Sequence, residues 1–450
     1  MADILPFPNT TAPTQPIAHY IRLGESGHLK LANLQAAGRL PATRVAVDAS
    51  RLRYQKELIA ALRANGAEIV LDTKAAELSA LEKFAGYARL APWSAIGDGQ
   101  PLGPNHFAAD DRSGIFGQIA RFAVEHQMDA VLAPAHFVGD PAVQNWFEID
   151  RQSCLALRRA LDQEGGASIA IDYPLIIPTT TLNDDERRSE FVGKLGDLPF
   201  DNLWIRASGF GNDAAPLAAR RFITSLAAFH NLGKPVVADY LGGLVGMAAL
   251  AFGAVSGIAH GIAEHERFDA RSWHKPQKKS ENGNGGGRVT RVLIATLERT
   301  ATIPELKVLA KARGGMKLVA CGNRECCMHG LDDMIRDPRR HAAFQCFSQV
   351  ADLQSVPDLS REQHFLNGRM ADVVRQARQV KELKIPLEEA ALNKVDPNAL
   401  MKRLTEYSKQ MERMRASLED LHEAKGDSMP RAKAITGRTP SAATHKELKK

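Results

Sequence analysis

Short apolar runs alternate with amphipathic helical segments through the first two-thirds of the chain, and this pattern constrains the fold more than any other feature. Nearly every position in each run is apolar, as expected for a parallel strand that helices cover on both faces. Eight such runs over about 250 residues predict a closed (β/α)8 TIM barrel, and the strand count is what favours it over a doubly wound open sheet. The predicted strands are Thr43–Asp48, Glu68–Asp72, Asp129–Ala135, Ser168–Tyr173, Asn202–Ala207, Pro235–Asp239, Val255–His260 and Val292–Thr296.

The alternation and its interruptions predict five regions along the chain. Residues 1–40 form an N-terminal extension, and residues 41–300 form the barrel. Residues 301–370 form a subdomain rich in cysteine and histidine, and residues 371–425 form a helical extension. Residues 426–450 are basic and lack an apolar period, so we expect them to be disordered.

The helical extension carries an apolar stripe with heptad spacing. Such a stripe indicates a helix that either docks on the barrel or pairs in a coiled coil, which would make the protein a homodimer through residues 400–421. The stripe consists of Leu400, Leu404, Tyr407, Met411, Met414, Leu418 and Leu421.

Composition excludes several classes of protein. The chain has 450 residues, of which 44% are hydrophobic, and a net charge of +6. The apolar share is enough for a packed core, and no apolar run reaches the roughly 18 residues of a membrane-spanning helix. The N-terminal segment has neither a basic stretch nor a long apolar stretch, which speaks against a secretory signal. We therefore expect a cytoplasmic protein that does not associate with membranes.

The predicted strand ends carry acids, arginine and histidine. Parallel barrels place their chemistry at the carboxyl ends of their strands, and acids gathered there raise one another's pKa. We therefore expect Asp239, Asp172, His260 and Asp72 to be catalytic candidates at one barrel mouth. The alternative for each aspartate is a structural role as the N-cap of the following helix.

Two glycine-rich segments are candidates for substrate binding. Gly242 and Gly243 follow a predicted strand, where a ligand could approach the backbone closely, although tight helix packing explains them equally well. Residues 274–288 are basic and rich in glycine and asparagine. That segment is either a disordered surface loop or a loop that contacts phosphates through residues such as Lys275 and Arg288.

Four of the five cysteines lie within 26 residues, close to several histidines. Thiolates and imidazoles are the ligands that tetrahedral zinc prefers, and clustered cysteines in a long unsecreted chain indicate metal or thiol chemistry. The candidate donors are Cys321, Cys326, Cys327, His329, His341, Cys346 and His364. A redox-active or merely packed group of thiols is the alternative.

These motifs, in this order, resemble the tRNA-guanine transglycosylase superfamily, including the paralogues that insert 7-deazaguanines into DNA. That family has a (β/α)8 barrel with a late, cysteine-rich zinc subdomain. The resemblance implies that Gly242, Gly243 and Leu244 form the base-binding GGL turn and that Asp172 in IAIDYP reads the guanine edge. It implies zinc bound by Cys321, Cys326 and His364, and we add Cys327, which is extra to the family's pattern, as a further candidate ligand.

The resemblance leaves the nucleophile as Asp239 or Asp269, with Asp72 or Asp48 as the early aspartate. It implies exchange of a purine or 7-deazapurine base at a glycosidic bond of DNA or tRNA. Substrate contacts would come from Gly242, Gly243, Leu244, Arg206, Lys275 and Arg288. The alternatives are another barrel enzyme acting on a small anionic or heterocyclic substrate, and a non-catalytic scaffold associated with nucleic acid.

Overall fold

The predicted barrel is confirmed. The computed structural model describes residues 14–24, 28–84, 86–108, 112–263, 266–274, 289–425 and 431–438. Eight parallel strands close into a barrel in the order β1-β2-β3-β4-β5-β6-β8-β9, and two antiparallel pairs, β7–β10 and β11–β12, lie outside it. The strands are β1 (Ala18–Leu23), β2 (Arg44–Asp48), β3 (Glu68–Asp72), β4 (Ala130–Leu132), β5 (Ala170–Pro178), β6 (Leu203–Ser208), β7 (Phe210–Gly211), β8 (Val236–Asp239), β9 (Gly257–His260), β10 (Arg267–Phe268), β11 (Arg291–Ile294) and β12 (Arg299–Thr302).

Helices connect the strands and continue beyond the barrel. Those within the barrel region are α1 (His28–Ala36), α2 (Leu52–Ala64), α3 (Ala75–Ser79), α4 (Leu81–Phe84), α5 (Ile115–Glu125), α6 (Trp146–Gln163), α7 (Thr179–Leu182), α8 (Asp185–Leu195), α9 (Pro216–Leu226) and α10 (Gly243–Ala251). Those after it are α11 (Ile303–Lys311), α12 (Gly315–Val319), α13 (Leu331–Arg336), α14 (Pro338–Gln354), α15 (Arg361–His364), α16 (Ala371–Lys381), α17 (Leu387–Leu392) and α18 (Pro397–Lys425).

The two ends of the barrel differ from the sequence-based expectation. β1 lies inside the segment predicted as an N-terminal extension, and it pairs with both β2 and β9, so it closes the barrel. The predicted last strand, Val292–Thr296, contributes instead to β11, which pairs antiparallel with β12. Apolar content identifies a strand but not its neighbours, which is why Val292–Thr296 was wrongly assigned to the barrel, whereas β1 was missed because it contains polar residues.

Side chains alternate between the inside and the outside of the barrel along each strand, as the period of two requires. Tyr20 of β1 packs against Trp204 of β6 inside the barrel, with ring centroids 4.8 Å apart. Small residues such as Ala46 and Ala259 fill the same layer. On β1, Tyr20 and Arg22 therefore face inward, while His19 faces outward.

The heptad stripe docks on the body of the protein. Helix α18 packs against α9 and α16, and Leu400, Leu404, Met411, Met414, Leu418 and Leu421 are all buried there. Of the two roles predicted for the stripe, docking is the one observed within the single chain. A homodimer through residues 400–421 stays a prediction and would have to use another face of α18. None of the helices in the described segments combines the length and apolarity that a bilayer crossing demands.

The expectation of a disordered tail is wrong for residues 431–438. The Ala432 amide donates to the Gly253 carbonyl at 2.8 Å, and the Ser256 hydroxyl donates to the Lys433 carbonyl at 2.5 Å. Ile435 joins the core cluster inside the barrel, where it closes the amino-terminal end. Two buried side chains, Ala432 and Ile435, and a few hydrogen bonds to the backbone therefore hold a segment whose composition has no apolar period. The rest of the predicted tail lies outside the described residues.

Arg438 also helps to close this end of the barrel, through ion pairs with two buried acids. Its guanidinium donates to Glu68 at 2.9 Å and also to Asp172. The side chains of these two acids are 7% and 0% exposed, respectively. Because a buried carboxylate without a partner is costly, the tail supplies a charge that the barrel interior requires.

Replacing Arg438 with Met should lower the free energy of unfolding by about 3–5 kcal/mol, because the buried Asp172 loses the guanidinium that pairs with it, while Glu68 keeps Arg44 as its cation. Urea denaturation at neutral pH measures this change. Arg413→Met is the matched control, since Arg413 is exposed on α18 and its loss should change stability by less than about 0.5 kcal/mol. Equal stabilities of the two variants would show that the tail does not stabilise the barrel.

Candidate active site and metal centre

Four buried charged residues form a network at the carboxyl end of the barrel. Asp239 accepts from Nε and Nη2 of Arg22, both at 2.6 Å, and from Nε of Arg206 at 2.7 Å. Oδ2 of Asp72 accepts from Arg22 at 2.9 Å and from Arg206 at 2.7 Å. The structure thus brings together the predicted residues Asp72, Asp239 and Arg206. It adds Arg22, which sequence reasoning missed because β1 fell within the predicted extension.

The two arginines hydrogen-bond to the oxygens of both carboxylates. Burial raises the pKa of Asp72, but Arg206, Lys74 and Arg22 outweigh it and hold that pKa well below its usual range. The side chain of Asp239 is fully buried and both of its oxygens accept from guanidinium groups. These two aspartates are therefore suited to fixing the shape of the mouth, and neither presents a free oxygen to a substrate.

A second group of charged residues, Asp48, Lys74 and Glu77, lies beside this network. Asp48, at the end of β2, lies 3.7 Å from both Arg22 and Lys74, and Lys74 also pairs with Glu77. Burial raises the pKa of the Asp48 carboxyl, although Lys74 partly offsets the effect. Asp48 is more exposed than Asp72, with 17% of its side chain accessible. It is the carboxyl group at the mouth that is best placed to hold and release a proton.

Two residues beside the network have strained backbone conformations. Lys74 and Tyr240, which follow Asp72 and Asp239 closely, have φ angles of 58° and 59°. Non-glycine residues in this left-handed region cost about 1–3 kcal/mol each, and such strain concentrates at functional sites. The Tyr240 ring covers the network, with its centroid 4.3 Å from Cζ of Arg22. The strained turns therefore hold a lysine and a tyrosine over the buried charges.

Asp269 lies on the rim, directly after β10. It accepts from the Ser208 hydroxyl at 3.1 Å and from Nε of Arg271 at 3.0 Å. Burial raises its pKa, but the hydrogen bonds from Arg271 and Ser208 together outweigh burial and lower it below the usual value. Its side chain is 35% exposed. Asp269 therefore presents an ionised and accessible carboxylate.

Asp172 does not lie at this mouth, which corrects the prediction for that residue. β5 continues to Pro178, so Asp172 is near its amino-terminal end, where Asn202 and Trp204 donate to it at 3.0 Å each. The predicted strand ended at Tyr173, which made Asp172 look like the end of a strand. At the closed end of the barrel, Asp172 pairs with Arg438 and cannot meet a substrate at the opposite mouth.

His260 also departs from the prediction, because its side chain points outward from β9. Its Nε2 lies 3.1 Å from Nε2 of His19, under helix α14. A Cβ added to Gly242 would come within 2.7 Å of the His260 ring, so only glycine fits there. Gly243, with φ of 54°, opens α10 against the side chain of Asn212.

Gly243, Leu244 and His260 line a cavity of about 550 Å³ between the barrel and the C-terminal helices. The predicted GGL turn thus faces a cavity beside the barrel. Of the other predicted substrate contacts, Lys275 and Arg288 lie outside the described residues.

A candidate metal centre combines three cysteines with one histidine. The donor atoms of Cys321, Cys326, Cys327 and His341 all lie within 4.8 Å of one another. Sγ of Cys326 is 3.6 Å from Sγ of Cys327, and Nδ1 of His341 is 3.3 and 3.5 Å from these sulfurs. Ligands of a tetrahedral zinc ion are about 3.3–3.8 Å apart, so these donors fit the ion.

A hydrogen bond to His341 and the burial of the donor groups favour binding of a cation. Nε2 of His341 lies 3.0 Å from the Leu293 carbonyl, which fixes the proton on Nε2 and leaves the Nδ1 lone pair facing the sulfurs. Burial raises the pKa of both vicinal thiols and lowers that of His341. The vicinal thiols would stay protonated on their own, whereas a bound zinc ion would make thiolates of them and join the Cys321–Cys327 loop to α14.

His341 takes the place predicted for His364. His364 lies on α15 with 38% of its side chain exposed, and it pairs with Asp352 at 2.9 Å. Both histidines belong to helical segments downstream of the cysteines, and spacing alone did not distinguish them. The adjacent cysteines both face the centre because their loop turns sharply, with the Cys327 amide donating to the Asn323 carbonyl at 2.8 Å.

Comparison with known proteins adds little to this description. No protein-family model and no curated protein matches the chain. Among solved structures it is similar to the endo-1,4-beta-xylanase XylE of Penicillium canescens, with 9% sequence identity and a TM-score of 0.38. The match covers 55% of this chain and 82% of the xylanase chain. A likeness this distant carries no functional argument, so the fold assignment rests on strand pairing.

His341→Ala should remove one equivalent of zinc per chain relative to the unmodified protein and lower its thermal stability, because three cysteines alone leave the site incomplete. Elemental analysis after gel filtration measures the metal. His364→Ala is the matched control and should retain all of it. If the His364 variant lost the equivalent and the His341 variant kept it, His364 and not His341 would be the fourth ligand.

Proposed function

We propose that this protein exchanges a heterocyclic base at a glycosidic bond of nucleic acid, with Asp269 as nucleophile and Asp48 as the acid and base. The observation that carries the proposal is a pair of carboxyl groups at one barrel mouth with unlike surroundings: Asp48 lies beside the buried Arg22 and Lys74, whereas Asp269 is accessible at the rim and accepts from Ser208 and Arg271. Burial raises the pKa of Asp48, whereas hydrogen bonds lower that of Asp269. Glycosyl transfer with a covalent intermediate needs this division between a proton donor and an ionised nucleophile.

Asp269 suits the nucleophile better than Asp239. A carboxylate that attacks carbon must be ionised and must have an oxygen that can reach the substrate. Asp239 has no exposed side-chain surface and is bound by two guanidinium groups, whereas Asp269 is accessible at the rim. The Arg22–Asp239–Arg206–Asp72 network would hold the shape of the mouth beneath the reacting groups.

The reaction follows from these roles. An Asp269 oxygen attacks C1′ of the sugar, the bond from C1′ to the base nitrogen breaks, and its electron pair goes to the base. The Asp48 carboxyl gives its proton to that nitrogen. In the second half, the Asp48 carboxylate takes a proton from the incoming base, whose nitrogen attacks C1′ and releases Asp269.

Aromatic rings beside Asp269 favour a planar leaving group. The rings of Tyr240 and Phe268 have centroids 5.0 Å apart, and those of Phe268 and Trp273 are 5.3 Å apart. Aromatic side chains of this kind stack on nucleobases. Arg267 and Arg271, each with 53% of the side chain exposed, flank the same rim and could hold phosphates. Guanine and 7-deazaguanine, as the bases exchanged, rest on the sequence resemblance.

The two alternatives predict different behaviour. An enzyme for a small substrate would turn over without nucleic acid. A scaffold would bind DNA or tRNA in a salt-dependent manner without turnover. Base exchange is therefore measured as incorporation of labelled guanine, or of a 7-deazaguanine base, into purified tRNA and DNA.

Asp269→Asn should lower the rate of base exchange by about a thousandfold or more while leaving the fold intact, because the amide is a poor nucleophile and the residue lies at the surface. The matched control is Asp162→Asn, which removes an exposed carboxylate on α6 and should not affect the rate. A protein–nucleic acid adduct on a denaturing gel, present in the unmodified protein and lost in Asp269→Asn, would identify the intermediate. Full activity of the Asp269 variant would exclude this mechanism.

The pH dependence should report Asp48. The first half-reaction needs the protonated carboxyl, so kcat/KM for the nucleic acid should fall as the pH rises through the Asp48 pKa. Because burial raises that pKa, the midpoint should lie above the usual aspartate value of about 3.9. Asp48→Asn should leave a low rate without this titration. An unchanged profile in that variant would assign the proton transfer to another group.

A further inference from the structure

We infer that the protein binds a second metal ion, zinc, through His19, His260 and Cys346, at a site separate from the Cys321–Cys327 centre and open to the cavity beside the barrel. The three side chains come from β1, β9 and α14, so they meet only in the folded protein. Their potential donor atoms all lie within 4.8 Å of one another.

The geometry suits a cation better than it suits hydrogen bonds. Nε2 of His19 and Nε2 of His260 are 3.1 Å apart, and Sγ of Cys346 lies 3.4 Å from each. In the plane of these three atoms, the point equidistant from all of them therefore lies ~1.9 Å from each. Zinc bonds of about 2.0–2.3 Å would place an ion slightly out of the plane of the three donors.

Hydrogen bonding cannot satisfy all three contacts. Nδ1 of His260 lies 2.8 Å from the Gly261 carbonyl, which only accepts, so the proton of that ring is on Nδ1. Its Nε2 therefore presents a lone pair to the centre. Only two hydrogen atoms, one on His19 and one on the Cys346 thiol, are then available for the three short contacts. A cation in the centre would engage all three atoms, and the Gly261 bond is the kind that orients a metal-binding histidine.

The surroundings leave room for one more ligand. His260 and Cys346 line the cavity of about 550 Å³, together with Asn212 and Glu266. Three protein ligands and one position open to a cavity are typical of catalytic zinc, whereas structural zinc has four protein ligands. The open position would take water or a small anion. Two imidazoles and one thiolate are soft enough to favour zinc over magnesium or calcium.

This site is independent of the proposed base exchange. It lies outside the barrel wall, whereas Asp48 and Asp269 belong to the mouth. Its loss should leave zinc at Cys321, Cys326, Cys327 and His341. Metal counting on single variants therefore separates the two centres without any assay of activity.

The test measures zinc per chain in the full-length protein after zinc loading and gel filtration. The unmodified protein should hold two equivalents, His19→Ala and Cys346→Ala should each hold one, and His341→Ala should also hold one. The double variant His19→Ala/His341→Ala should hold none. Cys154→Ala, which removes a buried cysteine outside both centres, should hold two. Two equivalents in both the His19 and the Cys346 variants, or a single equivalent in the unmodified protein, would overturn the inference.

Alkylation of the unmodified protein guards against a variant that fails to fold. Bound zinc should slow the labelling of Cys346 by iodoacetamide relative to the metal-free protein, as peptide mass spectrometry would show, while the fully buried Cys154 should stay unlabelled in both samples if the fold is kept. A labelling rate for Cys346 that zinc does not change would count against the site.

Cobalt tests the open position. In the His341→Ala variant loaded with Co²⁺, azide should change the visible spectrum of the bound ion, because an exchangeable ligand position is available. The same titration of the double variant His19→Ala/His341→Ala should change nothing. A cobalt spectrum that does not respond to azide would show that the site has no open position, contrary to the proposal.

Discussion

Two arginines that share two aspartates hold the barrel mouth together. Arg22 and Arg206 come from β1 and β6, and Asp72 and Asp239 come from β3 and β8, so each pair spans the barrel interior. Ionic groups this deeply buried are tolerated only when every charge is paired with good geometry. The network therefore ties four strands to one register and sets where the rim residues stand. Asp48, Lys74 and Tyr240 all contact the network, Lys74 through its backbone amide, which donates to Asp72.

The alternation of apolar runs and helices was enough to predict the barrel and the position of seven of its strands. The eighth, β1, was missed because its inward side chains include Arg22 and its outward ones include His19, which removes the continuous apolar signal. Both residues make buried polar contacts at the candidate sites. The element that looked least like a strand thus joins the charge network to the candidate second metal site.

The candidate sites were harder to predict because their members meet only in three dimensions. Asp172 was placed at the wrong end of the barrel because the predicted strand stopped at Tyr173, whereas β5 runs on through Pro174 to Pro178. His341 and His364 were equally acceptable by spacing, and only helix packing shows which one faces the cysteines. Asp269 was open as a candidate, but its exposure and its contacts with Ser208 and Arg271 depend on the pairing of β7 with β10.

The docking of residues 431–438 has a consequence for how the protein is made. All eight barrel strands leave the ribosome before Arg438 does, and until then Asp172 lacks its cation and Glu68 is paired with Arg44 alone. The barrel of a nascent chain must therefore wait, with its amino-terminal end hydrated, for residues 431–438 to arrive. Domains generally fold as units during synthesis, yet here the barrel is completed by a segment translated after all eight of its strands. A message that ended shortly after α18 would encode every barrel strand but yield an unsealed barrel, which cellular proteases could recognise.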